Sequence, residues 1–194
     1  SLTSFFEARF GPRSSDGFKK AQRRFIESLA GYSIACYLLQ IKDRHNGNIL
    51  LDAQGRLIHV DFGFMLANSP GGNLGFESAP FKLTPSFIDL IGGTRSRCFR
   101  DFRGLCVDAY LALRRNSQEI VLLVEMMASG NEKLPCFQGP GGGAAAAADL
   151  AARFQPDLND PACVGFVHNL VRQSAGSWTT AWYDKYQRLW SGIY

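Results

Sequence analysis

Several side chains in the first third of the sequence have types and spacings that suit one kind of chemistry. Residues 42–48 read Lys-Asp-Arg-His-Asn-Gly-Asn, so Asp43 and Asn48 stand five residues apart. Asp61 follows thirteen residues after Asn48 and begins the tripeptide Asp-Phe-Gly. In kinase chemistry, an Asn at this spacing and the Asp of an Asp-Phe-Gly turn hold the Mg²⁺ ions that bridge the ATP phosphates. The spacing therefore predicts a phosphoryl-transfer site, although the order Asp-Arg-His inverts the protein-kinase order His-Arg-Asp.

Each of these side chains suits one part of phosphoryl transfer. Asp61 offers a carboxylate and Asn48 a neutral carbonyl oxygen, and both are oxygen ligands of the kind that Mg²⁺ prefers. Asp43 and His45 remain to handle the attacking hydroxyl group. Because a neutral imidazole can accept a proton near pH 7, we predict His45 as the general base, with Asp43 orienting the imidazole or the hydroxyl. Singly, Asp-Phe-Gly is a chance tripeptide and Asp-Arg-His a salt-bridged turn in many chains, but their joint spacing favours the catalytic interpretation.

The residues between the two motifs predict a β-hairpin that brings the motifs together. Short strands are predicted at 49–51 and 56–60, joined by the turn Asp-Ala-Gln-Gly. Asn48 would then enter one strand and Asp61 leave the other, so that both reach one metal ion. Upstream, apolar residues at three- and four-residue intervals predict a helix over 18–40.

The rest of the chain predicts further helices and one segment of low complexity. The helices are expected from Thr84 and Pro85 to the Gly-Gly pair at 92–93, and near 98–115, 117–129, 161–173 and 178–194. Residues 139–148 contain Gly-Pro-Gly-Gly-Gly and five alanines, which predict a surface loop with almost nothing to bury. The predicted fold class is mostly α with a small β-hairpin, in one domain over residues 1–194.

Composition and charge restrict the function classes. The 194 residues carry a net charge of +4, with 46% hydrophobic and 20% charged residues, as in a globular protein. No apolar run approaches the roughly 20 residues that cross a bilayer, so any membrane contact is expected to be peripheral. The five cysteines are scattered without a Cys-x-x-Cys pair, which indicates reduced thiols and no metal site. No nucleic-acid partner and no secretory signal are expected.

The motifs at 42–50 and 58–64 closely resemble those of the phosphatidylinositol 3-/4-kinase superfamily, and more narrowly those of type III phosphatidylinositol 4-kinases. Lys42 before Asp-Arg-His is typical of that branch. The segment Ser-Pro-Gly-Gly-Asn-Leu-Gly at 69–75 is nearer to the alpha type than to the beta type. The resemblance covers about residues 18–138 and implies the C-terminal lobe of a protein-kinase-like fold.

The resemblance also implies a set of functional positions. The catalytic loop would span about 42–50 and the activation loop about 61–83. ATP would be the co-substrate and Mg²⁺ or Mn²⁺ the metal cofactor. The implied site residues are the catalytic pair Asp43 and His45, the metal ligands Asn48 and Asp61, the nucleotide-binding residues Leu50 and Val60, and the substrate-binding residue Lys82. Leu50 and Val60 have an alternative interpretation as plain strand core.

Three other basic residues have structural interpretations. Arg44 is expected to brace the catalytic loop rather than to contact substrate. His59 is interpreted as a structural histidine behind Asp61, and His168 as an ordinary surface or core residue on a helix.

The implied function is a lipid kinase that transfers the γ-phosphate of ATP to the 4-hydroxyl group of phosphatidylinositol. Between Phe62 and Lys82 the only charged residues are Glu77 and Lys82 itself. A multiply phosphorylated inositol would require several Arg or Lys side chains, so a near-neutral loop favours phosphatidylinositol without further phosphates. The alternative is that the substrate is selected elsewhere in the protein. The alternatives are a protein kinase of the same superfamily and a non-catalytic docking lobe.

The sequence also predicts the partners and the location of the chain. Residues 1–40 contain no Gly-rich loop and no strand Lys of the kind found in a kinase N-terminal lobe. We therefore expect activity to require that lobe, and the helical domain of the full-length kinase and scaffold or regulatory proteins as further partners. The expected location is the cytoplasm, peripherally on the plasma membrane or Golgi/ER membranes. The aromatic and basic run over 178–190 would either lie at a bilayer interface or pack in the core.

Overall fold

A computed structural model describes residues 1–68 and 79–176 of the chain. These residues form seven α-helices, a two-stranded hairpin and two single 3₁₀ turns at Asn46–Asn48 and Pro135–Phe137. The elements in chain order are α1 (Leu2–Phe10), α2 (Asp16–Leu39), β1 (Ile49–Leu51), β2 (Leu57–His59), α3 (Pro85–Leu90), α4 (Arg97–Arg115), α5 (Ser117–Ala128), α6 (Gly142–Arg153) and α7 (Asp160–Gly176). The predicted fold class, mostly α with a small β-hairpin, is confirmed.

The long helix α2 is the central element. It begins where the Ser15 side chain accepts a hydrogen bond from the backbone N–H of Phe18, and it ends at Gln40 in the left-handed region, with φ 50°. One side of α2 packs along α4, and another supports β2. Phe25 on α2 is fully buried, as the helical periodicity of the sequence predicts, and Ile34 is buried as well.

Helix α1 was not predicted from the sequence. Nine residues are too few for a stable isolated helix, so tertiary contacts must hold α1 in place. Phe6 supplies those contacts, because its ring is fully buried and meets the rings of Phe18 and Phe25 edge-on. The turn of the hairpin packs against the same cluster. At Gly55, with φ 88°, an added Cβ would lie only 3.2 Å from the Phe6 ring.

The hairpin places its two ends as the sequence predicts. Ile49 pairs with His59, and Leu51 pairs with Leu57, in antiparallel register. The second strand is shorter than the predicted range of 56–60 because the backbone N–H of Arg56 donates to the Asp52 side chain at 2.8 Å instead of extending the ladder. The hairpin is fixed to α2 by the N–H of Leu57, which donates to Ser28 Oγ at 2.9 Å.

The segment 139–148 does not form the predicted surface loop. Most of it belongs to α6, whose Ala146, Ala147 and Leu150 are buried in the core. Alanine is the best helix former, and its small side chain lets two helices approach closely. A Cβ added to Gly143 would lie 2.3 Å from the Cβ of Ala128 on α5. A composition of Gly and Ala therefore marks a close helix–helix contact here.

The other predicted helices agree with the structure to within a few residues. Helix α3 begins as predicted, with the Thr84 side chain accepting from the N–H of Phe87 and Pro85 in the first turn. The predicted segments at 69–75 and 178–194 lie outside the described residues. Among the helices that the structure describes, none has both the length and the apolar character needed to cross a membrane.

An arginine joins α4 to the chain that follows α6. Arg114 donates hydrogen bonds to the backbone carbonyl oxygens of Phe154, Gln155 and Leu158. It also forms an ion pair of 2.8 Å with Asp160 at the start of α7. This cluster, the Arg114 corner, fixes the connection between α6 and α7.

Candidate active site

Arg44 lies at the centre of the predicted site and holds its two motifs together. Its side chain is buried, with 3% exposed. Nε donates to the carbonyl oxygen of Lys42 at 3.0 Å, and Nη1 donates to that of Val60 at 2.8 Å. Nη2 donates to the carbonyl oxygen of Asp61, and the guanidinium lies 5.6 Å from the centre of the Phe62 ring. The predicted bracing role of Arg44 is therefore confirmed.

Asn48 closes the catalytic loop on itself. Its side chain is buried, with 2% exposed, and Oδ1 accepts from the N–H of His45 at 3.0 Å. Nδ2 donates to the carbonyl oxygen of Asp43. The N–H of Val60 donates to the Asn48 carbonyl oxygen at 3.0 Å, so Asp61 leaves the hairpin next to Asn48. The hairpin thus brings the two predicted metal ligands to one end of the unit.

The Asp61 carboxylate is available to a cation. Its residue is exposed, and within 1–68 and 79–176 the carboxylate makes no hydrogen bond or ion pair. Both Asp61 and Asp43 adopt left-handed backbone conformations, with φ 59° and 62°. Asp tolerates this conformation better than most residues with a Cβ. The left-handed turn sends the chain away from the hairpin directly after β2.

The donor set fits a hard divalent cation such as Mg²⁺ or Mn²⁺. Asp61 would supply a carboxylate oxygen, and Asn48 Oδ1 keeps a second lone pair beyond the one that His45 uses. The described residues contain no group of three or more His, Cys, Asp or Glu side chains that could hold a metal. Two protein ligands suit Mg²⁺, which usually completes its shell with water and substrate phosphates.

His45 is oriented by a hydrogen bond that bears on its predicted role as the base. Its Nδ1 accepts from the N–H of Gly47 at 3.1 Å, which caps the 3₁₀ turn over Asn46–Asn48. In this arrangement the neutral ring carries its proton on Nε2, so the outer nitrogen is a donor. For His45 to accept the proton of a hydroxyl group, the ring must first release Gly47. Asp43, two residues away, is the carboxylate next to it in the loop.

An apolar face of the hairpin lies towards solvent beside these groups. Leu50 and Ile58 form a cross-strand pair on this face, with 47% and 40% exposed, and the half-buried Val60 follows two residues after Ile58. An exposed apolar strand face is where a flat ring could stack, so the geometry suits the predicted contacts of Leu50 and Val60 with adenine. Sequence reasoning missed Ile58, although its two-residue spacing from Val60 was a sufficient signal.

The opposite face of the hairpin is buried against α2. His59 stacks on Tyr32 with ring centres 4.2 Å apart, and its Nδ1 lies 3.7 Å from Cys36 Sγ. Burial, together with the positive charges of Arg44 and Lys82, lowers the pKa of His59 to about 4. A neutral, stacked imidazole agrees with the structural role expected for His59.

Lys82 lies beneath the catalytic loop. Its side chain is buried, with 6% exposed, and Nζ donates to the carbonyl oxygen of Arg44 at 2.9 Å. The N–H of Phe81 donates to Ser174 Oγ on α7 at 3.3 Å. These bonds give Lys82 a supporting position behind Arg44, and its predicted contact with substrate remains a prediction.

Comparison with known proteins gives one consistent result. Residues 2–138 match the family described as Phosphatidylinositol 3- and 4-kinase. Over its full length the chain is 48% identical to "Phosphatidylinositol 4-kinase beta 2" of Arabidopsis thaliana and covers 17% of that protein. It is 45% identical to "Phosphatidylinositol 4-kinase PIK1" of Saccharomyces cerevisiae, covering 18%, and 42% identical to "Phosphatidylinositol 4-kinase beta" of Rattus norvegicus, covering 23%.

These relatives also bear on the finer expectations. The chain spans about a fifth of their length, with shares of 17% to 23%. Two of the three carry the name beta, so the expected likeness to the alpha type stays an unconfirmed prediction. The family match covers both catalytic motifs and the hairpin between them. The chain therefore belongs to the phosphatidylinositol 3- and 4-kinase family.

Proposed function

We propose that this chain is the catalytic lobe of an ATP-dependent 1-phosphatidylinositol 4-kinase, which transfers the γ-phosphate of ATP to the 4-hydroxyl group of phosphatidylinositol. The observation that carries the proposal is the position of Arg44, which ties the Asp43–Asn48 loop to the backbone of Asp61. A metal–nucleotide complex and an acceptor hydroxyl need this kind of fixed relative placement. The three relatives compared above are all named phosphatidylinositol 4-kinases.

The site residues have different roles in binding the nucleotide, the metal ion and the acceptor hydroxyl. The nucleotide lies against Leu50 and Val60, and a divalent cation held by Asn48 and Asp61 neutralises charge on the phosphates when bound. The acceptor hydroxyl lies at the Asp43 end of the loop. As its oxygen bonds to the γ-phosphorus, the bond from that phosphorus to the β–γ bridging oxygen breaks and ADP leaves. The proton of the hydroxyl passes to the Asp43 carboxylate or, once the Gly47 bond is released, to His45. While that bond is in place, Nε2 of His45 donates a hydrogen bond to a phosphate oxygen.

The charge of the loop after Asp61 supports an inositol ring without further phosphates. Lys82 is the only basic residue in the segment 62–82. Its ammonium donates to the Arg44 carbonyl oxygen below the catalytic loop. A substrate with phosphates on its ring would require additional Arg or Lys side chains. Phosphatidylinositol requires none.

The lengths of the relatives support a larger working unit. This chain corresponds to 18% of the yeast relative, so the N-terminal lobe and a helical domain are expected from the rest of such a protein. The substrate is a membrane lipid, so the enzyme works peripherally at the cytoplasmic side of the plasma membrane or of Golgi/ER membranes. Scaffold or regulatory proteins would hold it there.

A hybrid kinase tests the proposal. The matching segment of the Saccharomyces cerevisiae relative is replaced by this chain, and transfer of labelled phosphate from ATP to phosphatidylinositol vesicles is measured. Asp61→Asn keeps the left-handed backbone conformation but removes the anionic ligand. We expect at least about a hundredfold loss of transfer with an unchanged melting temperature, since metal ligation supplies several kcal/mol.

The matched control is Asp101→Asn, which alters an exposed carboxylate on α4 and should leave the rate unchanged. An Asp61→Asn hybrid of normal rate contradicts the metal assignment. Label that enters peptides in preference to the lipid supports the protein-kinase alternative. A folded hybrid that transfers nothing, beside an active parent enzyme, supports the docking-lobe alternative.

A further inference from the structure

A cavity of about 230 Å³ opens beside the catalytic loop. Its walls are the C-terminal end of α2, three residues that follow it (Ile41, Lys42 and Arg44), residues 79–82 and the last turns of α7. Two of these walls bracket the reaction centre, because the catalytic loop starts at one and the loop that follows Asp61 ends at the other. A molecule in this cavity therefore meets Lys42 and Arg44, the two neighbours of Asp43 in the chain.

The cavity is cationic. Among its described lining residues, Lys42, Arg44 and Lys82 carry positive charge and none is Asp or Glu. Arg44 donates to backbone carbonyl oxygens, which engage its N–H groups but do not neutralise its charge. An anion that enters the cavity meets a positive field without competition from a lining carboxylate.

Lys42 differs from the other two cations. The backbone N–H of Lys42 donates to the carbonyl oxygen of Phe64 at 3.0 Å, which fixes the position of the Lys42 backbone. The side chain is half-buried, and within the described part of the chain its ammonium makes no hydrogen bond or ion pair. A half-buried lysine whose ammonium has no partner among the described residues is available to an anionic ligand.

Amide side chains complete the lining with groups that suit hydroxyls. Gln40 donates its Nε2 hydrogen to the carbonyl oxygen of Tyr37 at 2.7 Å, which leaves Oε1 directed at no described partner. Gln173, on α7, is exposed at the rim. Amides both donate and accept, as a ring that bears several hydroxyl groups requires.

We propose that this cavity binds the phosphodiester and adjoining ring hydroxyls of the phosphatidylinositol headgroup, with Lys42 as the cationic contact to the phosphodiester. The inference rests on the proposed function and assigns the acceptor site for that reaction. Lys42 directly precedes Asp43 in the chain. In the inositol ring, the carbon that bears the phosphodiester stands opposite the carbon that bears the 4-hydroxyl. A phosphodiester held at Lys42 thus presents the 4-hydroxyl away from the cavity, towards the catalytic residues.

The nucleotide phosphates are the other source of such an anion, and the geometry disfavours them here. The predicted metal ligands Asn48 and Asp61 stand at the hairpin end of the loop, where Val60 bonds to Asn48. Neither of these ligands, nor Leu50 or Val60 of the predicted nucleotide contact, is among the described residues that line the cavity. We therefore assign the cavity to the acceptor rather than to the nucleotide.

Steady-state kinetics of the hybrid kinase test the role of Lys42. We expect Lys42→Met to raise KM for phosphatidylinositol by about ten- to a hundredfold, the value of one charge-assisted hydrogen bond, with a much smaller change in kcat and in KM for ATP. Lys42→Arg should restore most of the affinity because it keeps the charge. The matched control, Lys133→Met, removes an exposed lysine elsewhere and should leave KM unchanged. A Lys42→Met variant with unchanged KM for the lipid, or with the loss confined to kcat, overturns the proposal.

Direct binding to the 194-residue chain separates this proposal from the proposed function. Glycerophosphoinositol, myo-inositol and inorganic phosphate are titrated by calorimetry against the chain and its Lys42→Met variant. We expect glycerophosphoinositol to bind more tightly than either simpler probe and to lose about tenfold or more with Lys42→Met. Equal affinity for inorganic phosphate makes the cavity a general phosphate site and overturns the headgroup assignment. Headgroup binding of this kind by a hybrid without kinase activity would reject the catalytic proposal and keep the site.

Discussion

Two corners of this molecule are each held by an arginine, and they serve different ends. Arg44 is buried and Arg114 is partly exposed, and each donates to three backbone carbonyl oxygens, two of which belong to adjacent residues. Arg114 has a carboxylate partner in Asp160, whereas Arg44 has carbonyl oxygens and the Phe62 ring. The guanidinium group offers five donors in a fixed plane, which suits it to gather irregular backbone.

The difference lies in what the gathered backbone carries. The carbonyl oxygens that Arg44 holds belong to residues next to the catalytic and metal-binding candidates. Those that Arg114 holds belong to the link between α6 and α7, where no site residue is predicted. The same bonding pattern positions the predicted site residues in one corner and holds the connection between α6 and α7 in the other. Measurements of stability cannot distinguish the roles of Arg44 and Arg114, but measurements of activity can.

The strongest test of this comparison removes each arginine in turn. Arg44→Met and Arg114→Met should each lower the free energy of unfolding by about 2–4 kcal/mol, because buried carbonyl oxygens lose their donors. Only Arg44→Met should also lower the phosphate-transfer rate of the folded hybrid kinase, by about a hundredfold or more, since the two motifs lose their fixed placement. Urea unfolding and lipid-kinase assays measure the two effects.

Two outcomes would contradict this picture. Equal loss of activity in both variants would mean that Arg44 acts through general stability. Full activity of folded Arg44→Met would mean that the motifs hold their geometry without it. Arg44→Lys, which keeps the charge but not the planar set of donors, should fall between the wild type and Arg44→Met.

Acid should destabilise the chain through His59, which is buried near the positive charge of Arg44. His59 has a pKa of about 4 when folded and an ordinary value near 6.5 when unfolded, so the unfolded chain binds the proton more readily in between. Stability is therefore complete above about pH 6.5 and falls as the pH drops towards 4, by about 2–3 kcal/mol.

Urea unfolding between pH 7.5 and 4 measures this dependence. His59→Gln should flatten it. His168→Gln serves as the control, because burial and Arg103 also lower the pKa of His168, but that residue lies only partly buried on α7. A slope that survives in His59→Gln would show that other groups cause the acid sensitivity.

The smallest expected effect concerns the helix pair near the Arg114 corner. Gly143→Ala should destabilise the chain by about 1–3 kcal/mol, although Ala is the better helix former, because the new Cβ collides with Ala128. Gly104→Ala on α4 meets nothing within 4 Å and should instead stabilise by up to about 1 kcal/mol. Opposite signs in urea unfolding confirm the close α5–α6 contact, and a stabilising Gly143→Ala would contradict it.

Local signals in the sequence predict much of this fold. The Thr-Pro start of α3, the turn after β1 and the periodicity of α2 each act within a few residues of the chain, and each appears as predicted. Helix α1 and the burial of α6 depend on partners distant in sequence, Phe25 and Ala128, so composition and spacing could not reveal them.

The candidate site divides in the same way. The spacing of Asp43, Asn48 and Asp61 indicates the chemistry, because residue types alone carry that signal. Two of the three carbonyl partners of Arg44 do not appear in any local pattern, since they lie sixteen and seventeen residues away. The bond between His45 and Gly47 is likewise a matter of ring orientation, which spacing does not specify.

The left-handed backbone at Asp43 and Asp61 limits which residues can replace them in evolution without loss of the fold. Alanine and most larger residues cost about 1–2 kcal/mol in that conformation, whereas Asn and Gly fit it readily. A descendant that lost its chemistry but kept its shape should therefore carry Asn or Gly at these two positions. Such a pair of substitutions would distinguish, by sequence alone, a folded lobe that has lost kinase activity from a lobe that no longer folds.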